Sequence, residues 1–305
     1  MNEEQTVGTP TVPVCYRHPN RETYVRCVRC DRPICPDCMR EAAVGFQCPE
    51  CVAAGRRSVR PVRTAFGGGP AGQYGWVTYT LIALNVLVAV ASLVVGGGAA
   101  ALTGFGDVTP IQMWGGVIAL PTWFPPETDP TFVDGVAGGE YWRLVTAMFI
   151  HFGILHLGLN MWVLWILGPY LESALGPLRF LALYLLAGLG GDVAAYLFSN
   201  EHALTAGASG AIFGLFAALF VINRRLRLDT SGVAALIGIN LVFGFVIANV
   251  SWIGHLGGLV TGAVVALGMA YAPRSQRGLV QGATVVIVLV ALVGATLLRT
   301  SMLGY

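Results

Sequence analysis

The chain has 305 residues, of which 55% are hydrophobic and only 11% are charged, and its mean hydropathy is +0.68. This composition excludes a soluble globular protein, because too few polar residues would remain to cover its surface, and it predicts a multi-spanning membrane protein. The net charge of +2 favours no particular class of protein. The first 63 residues, however, hold ten of the eighteen basic residues and all seven cysteines. We therefore expect a small polar head followed by a membrane body.

The head contains four closely spaced pairs of metal-ligand residues, which use every cysteine in the chain and one histidine. They are Cys15, His18, Cys27, Cys30, Cys35, Cys38, Cys48 and Cys51. Eight such ligands suffice for two closed tetrahedral zinc sites, which would leave no position open for catalysis. The alternative is a set of disulfides or incidental thiols.

The first residues predict the compartment of the head. Residues 1–14 lack the basic start, apolar stretch and cleavage site of a secretory signal, so we expect a cytoplasmic head with reduced cysteines. We assign residues 1–60 to this domain and 61–75 to a linker rich in glycine and arginine. A segment this short buries little core, so two structural zinc ions would supply much of its folding free energy. The seven acidic residues among the first 63 residues offset the ten arginines there, which argues against nucleic-acid binding and favours a cytoplasmic protein partner.

Residues 13–52 resemble a B-box-type zinc finger. In that family the first and third ligand pairs hold one metal ion, and the second and fourth pairs hold the other. The resemblance therefore implies one site with Cys15, His18, Cys35 and Cys38, and a second site with Cys27, Cys30, Cys48 and Cys51. The chain departs from the family at its last pair, where cysteines replace the usual histidines.

Seven apolar stretches follow, each near the ~20 residues that a spanning helix needs. They lie at about 76–95, 146–170, 180–198, 208–223, 232–249, 252–271 and 279–298. If the head is cytoplasmic, their alternation places sixteen of the eighteen arginines on the cytoplasmic side and leaves only Arg143 and Arg299 outside. This asymmetry agrees with the positive-inside rule, so we expect a cytoplasmic N-terminus and a C-terminus outside. The long first connection, 100–141, is rich in glycine, proline and aromatic residues, and we expect it to rest in the membrane interface.

Polar side chains inside an apolar stretch mark candidate functional sites, because they are costly in hydrocarbon. On the second stretch they are His151, His156 and Asn160, and the last two share one helical face. Each alone fits an interhelical hydrogen-bonding group, whereas three on one helix favour a functional site.

A serine and a histidine on later stretches fit the chemistry of acyl transfer. Ser209, in Gly207-Ala208-Ser209-Gly210, lies at the start of the fourth stretch, where free helical N–H groups favour an anion. His255 lies about one turn into the sixth stretch, and the glycines that follow it would let the two helices touch. Phe213 would then pack against the imidazole. The alternatives are an N-cap serine in a small-residue packing motif and a packed core histidine.

Together with Trp142-Arg143 and Glu172, these motifs strongly resemble the rhomboid family of intramembrane serine proteases over residues 76–272. The fold class implied is an all-α membrane protein with the six-helix rhomboid bundle in 76–272. Residues 273–305 would add a seventh transmembrane helix, and the zinc-stabilised head would precede the bundle. Trp142-Arg143 matches a structural motif of the family's long first loop, and Glu172 matches a structural acid below the second span.

The same resemblance implies a role for each site residue. Ser209 would be the nucleophile and His255 the base of a catalytic dyad that has no acidic third member. His156, Asn160 and the Ser209 N–H would stabilise the oxyanion. Three further residues would support the site: His151, Phe213 and Gly207. Asp192 is the one carboxylate well inside an apolar stretch. It is a candidate for orienting a histidine, although the family does not require it.

The implied activity is cleavage of transmembrane segments near the outer face of the bilayer, with membrane proteins as substrates and no cofactor for the chemistry. The competing hypothesis is an inactive membrane chaperone or recognition protein of the same fold, which would recruit partners through the zinc head. A transporter would need internally repeated halves, and the sequence shows no such repeat.

Overall fold

The computed structural model of the chain describes residues 12–58, 62–70, 75–96, 103, 108–124, 131–246 and 250–305. The chain divides into two compact units, Met1–Val62 and Arg63–Tyr305. The boundary falls inside the predicted linker 61–75, of which residues 61 and 71–74 lie outside the described part. Residues 63–70 belong to the second unit, where the side chain of Phe66 is buried in the helical core.

The first unit is a small domain with little regular structure. Its elements are β1 (Val14–Cys15), β2 (His18–Glu22), β3 (Arg40–Glu41), β4 (Phe46–Gln47) and α1 (Pro49–Ser58). β1 pairs with β2 and β3 pairs with β4, both antiparallel. The core consists of six buried cysteines and Ile34, with Tyr16 and Met39 packed against it. A core made mainly of thiols is too small to stabilise a domain without cross-links or metal ions.

The second unit is mostly helical. In chain order its elements are α2 (Trp76–Gly96), α3 (Pro110–Gly115), β5 (Thr122–Phe124), β6 (Thr131–Val133), α4 (Arg143–Thr146), α5 (Gly153–Leu175), α6 (Pro177–Phe198), α7 (Ser209–Arg225), α8 (Ser231–Val246), α9 (Trp252–Ala270) and α10 (Arg277–Met302). In the part of the chain that the structure describes, five helices are long and apolar enough to cross a membrane: α2, α5, α6, α9 and α10. α7 and α8, with 17 and 16 residues, are shorter. The seven helices follow the order of the seven predicted stretches, and the number of spans stays a prediction.

The predicted start of the second stretch, at residue 146, is wrong. The chain there forms the short helix α4 and a 3₁₀ turn, Ala147–Phe149, and α5 begins only at Gly153. Gly153 has a φ of 82°, which an α-helix interior does not allow and which glycine adopts without the cost of a Cβ clash. α5 continues to Leu175 instead of ending at about 170, and the chain turns at Gly176, whose φ is 87°.

Glycines bring α9 into close contact with both α6 and α7. A Cβ placed on Gly258 of α9 would overlap the backbone of Gly210 on α7, and one on Gly257 would lie 2.6 Å from the carbonyl oxygen of Gly190 on α6. The fourth and sixth stretches therefore touch along their glycines, as the sequence indicated. This packing sets the separation between Ser209 and the helix that carries His255.

A buried arginine organises the long connection between α2 and α5. The Arg143 side chain is 1% exposed, and its guanidinium donates to Glu140 Oε2 at 2.6 Å and to the carbonyl oxygens of Met113 at 2.5 Å and Gly116 at 2.8 Å. β5 and β6 of this connection form an antiparallel pair, and the exposed rings of Trp123 and Phe132 are in contact. The sequence predicted an interfacial segment here, but it did not predict the strands.

A carboxylate from α5 caps the first apolar helix. Glu172, which is fully buried, accepts hydrogen bonds from the N–H groups of Val77 and Thr78 at 3.1 and 2.9 Å and from the Thr78 hydroxyl at 2.8 Å. The first N–H groups of a helix have no intrahelical acceptor, and a carboxylate also stabilises the positive end of the helix dipole. Glu172, which matches a structural acid in the rhomboid resemblance, thus joins α5 to α2.

Candidate active site

α7 and α9 bring Ser209 and His255 into hydrogen-bond contact. Ser209 is the first residue of α7, and its Oγ lies 2.9 Å from His255 Nε2. The Phe213 ring, one turn further along α7, stacks on the imidazole with a centroid distance of 4.2 Å and an interplanar angle of 14°. A nucleophile within hydrogen-bond distance of a base is the requirement for acyl transfer, and the stacked ring restricts rotation of the imidazole.

The second nitrogen of His255, Nδ1, has no carboxylate partner in the described part of the chain. Among the described residues Nδ1 is buried without a hydrogen-bond partner, and its surroundings include the Gly244 backbone, since a Cβ there would lie 3.3 Å from Nδ1. For Nε2 to accept the serine proton, Nδ1 must carry the ring proton. Asp192 lies on α6, and its Oδ2 is buried without a partner. The geometry therefore gives no support to Asp192 as an orienting acid.

His156 faces Ser209 across the space above Gly207. Its Nδ1 accepts a hydrogen bond from the Phe152 N–H at 3.3 Å, so Nε2 is left as the N–H donor. A Cβ on Gly207 would lie 2.8 Å from His156 Nε2 and 3.6 Å from Ser209 Oγ. Gly207 also has a φ of 141°, which disfavours any residue with a Cβ. Residue 207 thus keeps open the space in which a substrate oxygen would meet the His156 N–H.

Asn160 contributes a second donor from the same helical face. It is buried, and its Nδ2 donates to the carbonyl oxygen of His156 at 2.8 Å, which leaves one N–H of the amide for a ligand. Asn160, His156, Ser209 and His255 line one cavity of about 230 Å³, whose other walls are mainly apolar side chains of α5, α7 and α8. The four polar residues singled out in the sequence therefore converge on one cavity.

His151 supports the turn that precedes the serine. Its Nε2 accepts a hydrogen bond from the Ala208 N–H at 3.4 Å, and its ring meets the His156 ring edge-on at a centroid distance of 5.0 Å. Its carbonyl oxygen accepts a hydrogen bond from Gln112 Nε2 at 3.0 Å. Sequence reasoning did not identify Gln112. Thr109 and Gln112 form a capping box, which is a sequence signal for the start of α3 and not for the contact with His151.

The arrangement supplies each part needed for acyl transfer. Ser209 Oγ can attack a carbonyl carbon while His255 removes its proton. Ser209 begins α7, so its backbone N–H lies at the positive end of a helix dipole and has no intrahelical acceptor. This N–H, with the N–H groups of His156 and Asn160, forms a donor set of the kind that stabilises an oxyanion.

The described residues of the first unit contain two clusters of metal-ligand residues. The structure brings together Cys15, His18, Cys35 and Cys38 in one cluster and Cys27, Cys30, Cys48 and Cys51 in the other. These are the two sets that the B-box resemblance implies. His18 Nδ1 lies 3.7, 3.2 and 3.5 Å from the sulfurs of Cys15, Cys35 and Cys38. Ligand atoms that surround a zinc ion at ~2.3 Å stand roughly 3.7 Å apart, so the donor set and its spacing fit zinc.

The thiols of these clusters differ in acidity. Burial raises the pKa of Cys27, but hydrogen bonds from the backbone around Cys48, Arg29 and Cys30 outweigh it and lower this pKa to about 6. Burial and the neighbouring sulfurs of Cys15 and Cys35 raise the pKa of Cys38 to about 11. A bound divalent cation would stabilise the thiolate form of all the thiols in a cluster, since coordination requires deprotonated sulfur.

Residues 138–272 match the family model described as the rhomboid domain. The chain is 45% identical over 141 residues to the rhomboid protease GluP of Bacillus subtilis (strain 168), a match that covers 44% of this chain and 27% of GluP. It is 36% identical over 133 residues to YdcA of the same organism, covering 42% of this chain and 67% of YdcA. With the RHOMBOID-like protein 6, mitochondrial, of Arabidopsis thaliana it shares 35% identity over 150 residues, covering 46% of this chain and 47% of that protein. The match thus spans about a quarter of GluP and about half of the plant protein.

Proposed function

The chain belongs to the rhomboid family, and from this premise we propose that it is an intramembrane serine endopeptidase that cleaves transmembrane segments of other membrane proteins. The observation that carries the proposal is the 2.9 Å contact between Ser209 Oγ and His255 Nε2, with Phe213 stacked on the imidazole. The oxyanion donors at His156 and Asn160 line the same cavity, which favours an enzyme over the alternative of an inactive chaperone on this fold.

The proposed reaction proceeds through an acyl-enzyme. His255 Nε2 takes the proton of Ser209 while Oγ bonds to the substrate carbonyl carbon, and the negative charge on the carbonyl oxygen is held by N–H groups of Ser209, His156 and Asn160. The C–N bond then breaks, and the imidazolium gives its proton to the leaving amine. Water deprotonated by His255 attacks the ester, and Ser209 recovers its proton as the second product leaves.

The least packed helix, α8, is the proposed entrance for substrate. Among its described residues only Gly244 is buried, whereas α7 buries eleven residues, and α8 forms one wall of the catalytic cavity. A helical substrate keeps its carbonyls in its own hydrogen bonds, so we expect cleavage where a glycine or proline lets the segment unwind.

The distribution of arginines supports the proposed orientation. α7 begins at Ser209 and ends with Arg224 and Arg225, so the dyad lies at the opposite end of α7 from these charges. Positive charge marks the cytoplasmic side. We therefore propose that the catalytic cavity lies toward the outer face of the cell membrane, with the N-terminus in the cytoplasm and the C-terminus outside.

A serine-directed probe tests the assignment. Purified protein in detergent is expected to react with a fluorophosphonate, and peptide mapping should place the adduct on Ser209, because only a serine activated by a neighbouring base reacts readily. Ser209→Ala should show no adduct, while a control at the exposed Ser301, Ser301→Ala, should react as the wild type does. Equal labelling of wild type and Ser209→Ala would contradict the proposal and favour the chaperone alternative.

We further propose that each cluster of the head holds one structural zinc ion in a B-box-like domain that docks a cytoplasmic protein partner. The expected content is about two zinc ions per chain, measured by mass spectrometry of the metal. Cys27→Ser should lose one ion and unfold the head, because metal binding supplies its folding free energy. Removal of residues 1–62, at the boundary between the units, should leave cleavage of a simple substrate within about twofold of wild type. A metal-free head, or a folded but inactive truncation, would each contradict one part of this assignment.

A further inference from the structure

Three arginines from distant parts of the sequence lie together at one end of the helix bundle. Arg63 precedes α2, Arg179 lies in the first turn of α6, and Arg277 is the first residue of α10. Arg179 contacts Gln281, which lies one turn along α10 from Arg277, and both Arg63 and Arg277 lie against the backbone of residues 65–67. All three residues belong to the second unit, so the cluster is part of the membrane body.

The contacts of these guanidinium groups are with neutral oxygen atoms. Arg63 Nη1 donates to the carbonyl oxygen of Gly67 at 3.5 Å, Arg277 Nη1 to that of Ala65 at 3.4 Å, and Arg179 Nε to Gln281 Oε1 at 2.6 Å. The ion pairs of the described residues use five other arginines: Arg21, Arg26, Arg32, Arg143 and Arg299. Among the described residues, Arg277 Nε is buried and has no hydrogen-bond acceptor. Among the residues that the structure describes, the cluster therefore has three positive charges and no carboxylate within ion-pair distance.

A chain segment fixed by close backbone packing holds the cluster together. The Phe66 carbonyl oxygen accepts a hydrogen bond from Gln281 Nε2 at 3.0 Å. A Cβ on Gly68 would overlap the carbonyl of Leu175 at the α5–α6 turn, and one on Gly67 would lie 3.1 Å from Arg277 Nη1. The guanidinium groups are thus held near one another by the fold, at the end of two apolar helices that are long enough to cross a membrane.

Like charges held together near an apolar region repel one another unless an anion balances them. Guanidinium groups pair best with planar or forked anions such as phosphate, to which they donate two hydrogen bonds each. Basic pockets between transmembrane helices at the level of the headgroups bind phospholipid head groups. We propose that Arg63, Arg179 and Arg277 form a binding site for a phosphate group, supplied by the headgroup of an anionic phospholipid. The site is separate from the catalytic cavity and does not depend on the proposed proteolysis.

Native mass spectrometry of the full-length protein with added phosphatidylglycerol tests the site. Each basic residue near an anionic group contributes about a fivefold gain in affinity, so Arg63→Gln with Arg277→Gln should weaken phosphatidylglycerol binding about 25-fold. Adding Arg179→Gln should bring the loss to about 100-fold. The matched control replaces Arg224 and Arg274, two exposed arginines at the same end of the bundle, by glutamine, and it should change binding less than twofold.

Two comparisons decide the ligand. Wild-type protein should bind phosphatidylglycerol in preference to phosphatidylcholine, and millimolar inorganic phosphate should not displace the lipid. Displacement by inorganic phosphate, lost in the double variant, would support the same site with a free phosphate as its ligand. Equal binding of the two lipids, or equal losses in the double variant and its matched control, would overturn the proposal. The double variant keeps the contact between Arg179 and Gln281, and its thermal unfolding temperature checks that the bundle is intact.

Discussion

Ser209→Ala is expected to abolish cleavage of a purified transmembrane reporter. Serine and histidine act as one unit in such a site, and loss of either typically lowers turnover on the order of a million-fold, which is below detection for most reporters. His255→Ala should have the same effect, and the double variant should be no worse than either single variant, because each change removes the same step. The measurement is the initial rate of product formation in detergent and in liposomes.

Two control variants accompany this experiment. Ser301→Ala and His202→Ala alter exposed residues that do not line the cavity, and both variants should cleave at the wild-type rate. Expression level should be unchanged in the dyad variants, and the thermal unfolding temperature checks that the bundle is intact, because the buried His255 imidazole stacks on Phe213. Reporter cleavage by Ser209→Ala at the wild-type rate would refute the protease assignment. Rate losses of the two single variants that multiplied in the double variant would also refute it.

His156→Ala and Asn160→Ala are each expected to lower turnover about 100- to 1000-fold while KM changes little. The reason is that an oxyanion donor acts mainly in the transition state, so its loss affects the rate more than substrate binding. Both variants should still react slowly with a fluorophosphonate, because Ser209 and His255 remain in contact. Asn223→Ala is the matched control, since Asn223 lies near the opposite end of α7, where its Oδ1 accepts a hydrogen bond from Tyr170. Full activity in both donor variants would instead assign the polar face of α5 to helix packing.

The polar residues that meet in the catalytic cavity could be identified from the sequence, because polar residues stand out in apolar helices. His156, Asn160, Ser209 and His255 each interrupt an apolar run, and the glycines after His255 indicated which helices would touch. The role of Gln112 was not inferred, because it lies outside the apolar stretches and acts on a backbone carbonyl of His151. Every residue has a backbone carbonyl, so the sequence does not show which residue accepts a hydrogen bond from the Gln112 side chain.

One error in the fold, the predicted start of α5, has its source in a glycine. Gly153 lies inside an apolar run and gave no sign of the positive φ that delays the start of α5. Gly67, Gly68 and Gly69 lie in the segment predicted as a linker, where a Cβ on Gly68 would overlap the carbonyl of Leu175. The same composition serves a loose connection and a close backbone contact, and only the neighbouring atoms distinguish them. The three-residue strands β5 and β6 were missed because a run that short has no clear period.

The contact between Glu172 and the start of α2 also bears on the order in which the protein assembles. Glu172 follows Thr78 by 94 residues, so α2 is synthesised before its capping carboxylate exists. Until α5 enters the bilayer, the N–H groups of Val77 and Thr78 need water as their acceptor, which keeps this end of α2 at the aqueous surface. Docking of α5 exchanges that water for a carboxylate and lets the end of α2 become buried. Glu172 can therefore cap the start of α2 only after α5 has packed against it.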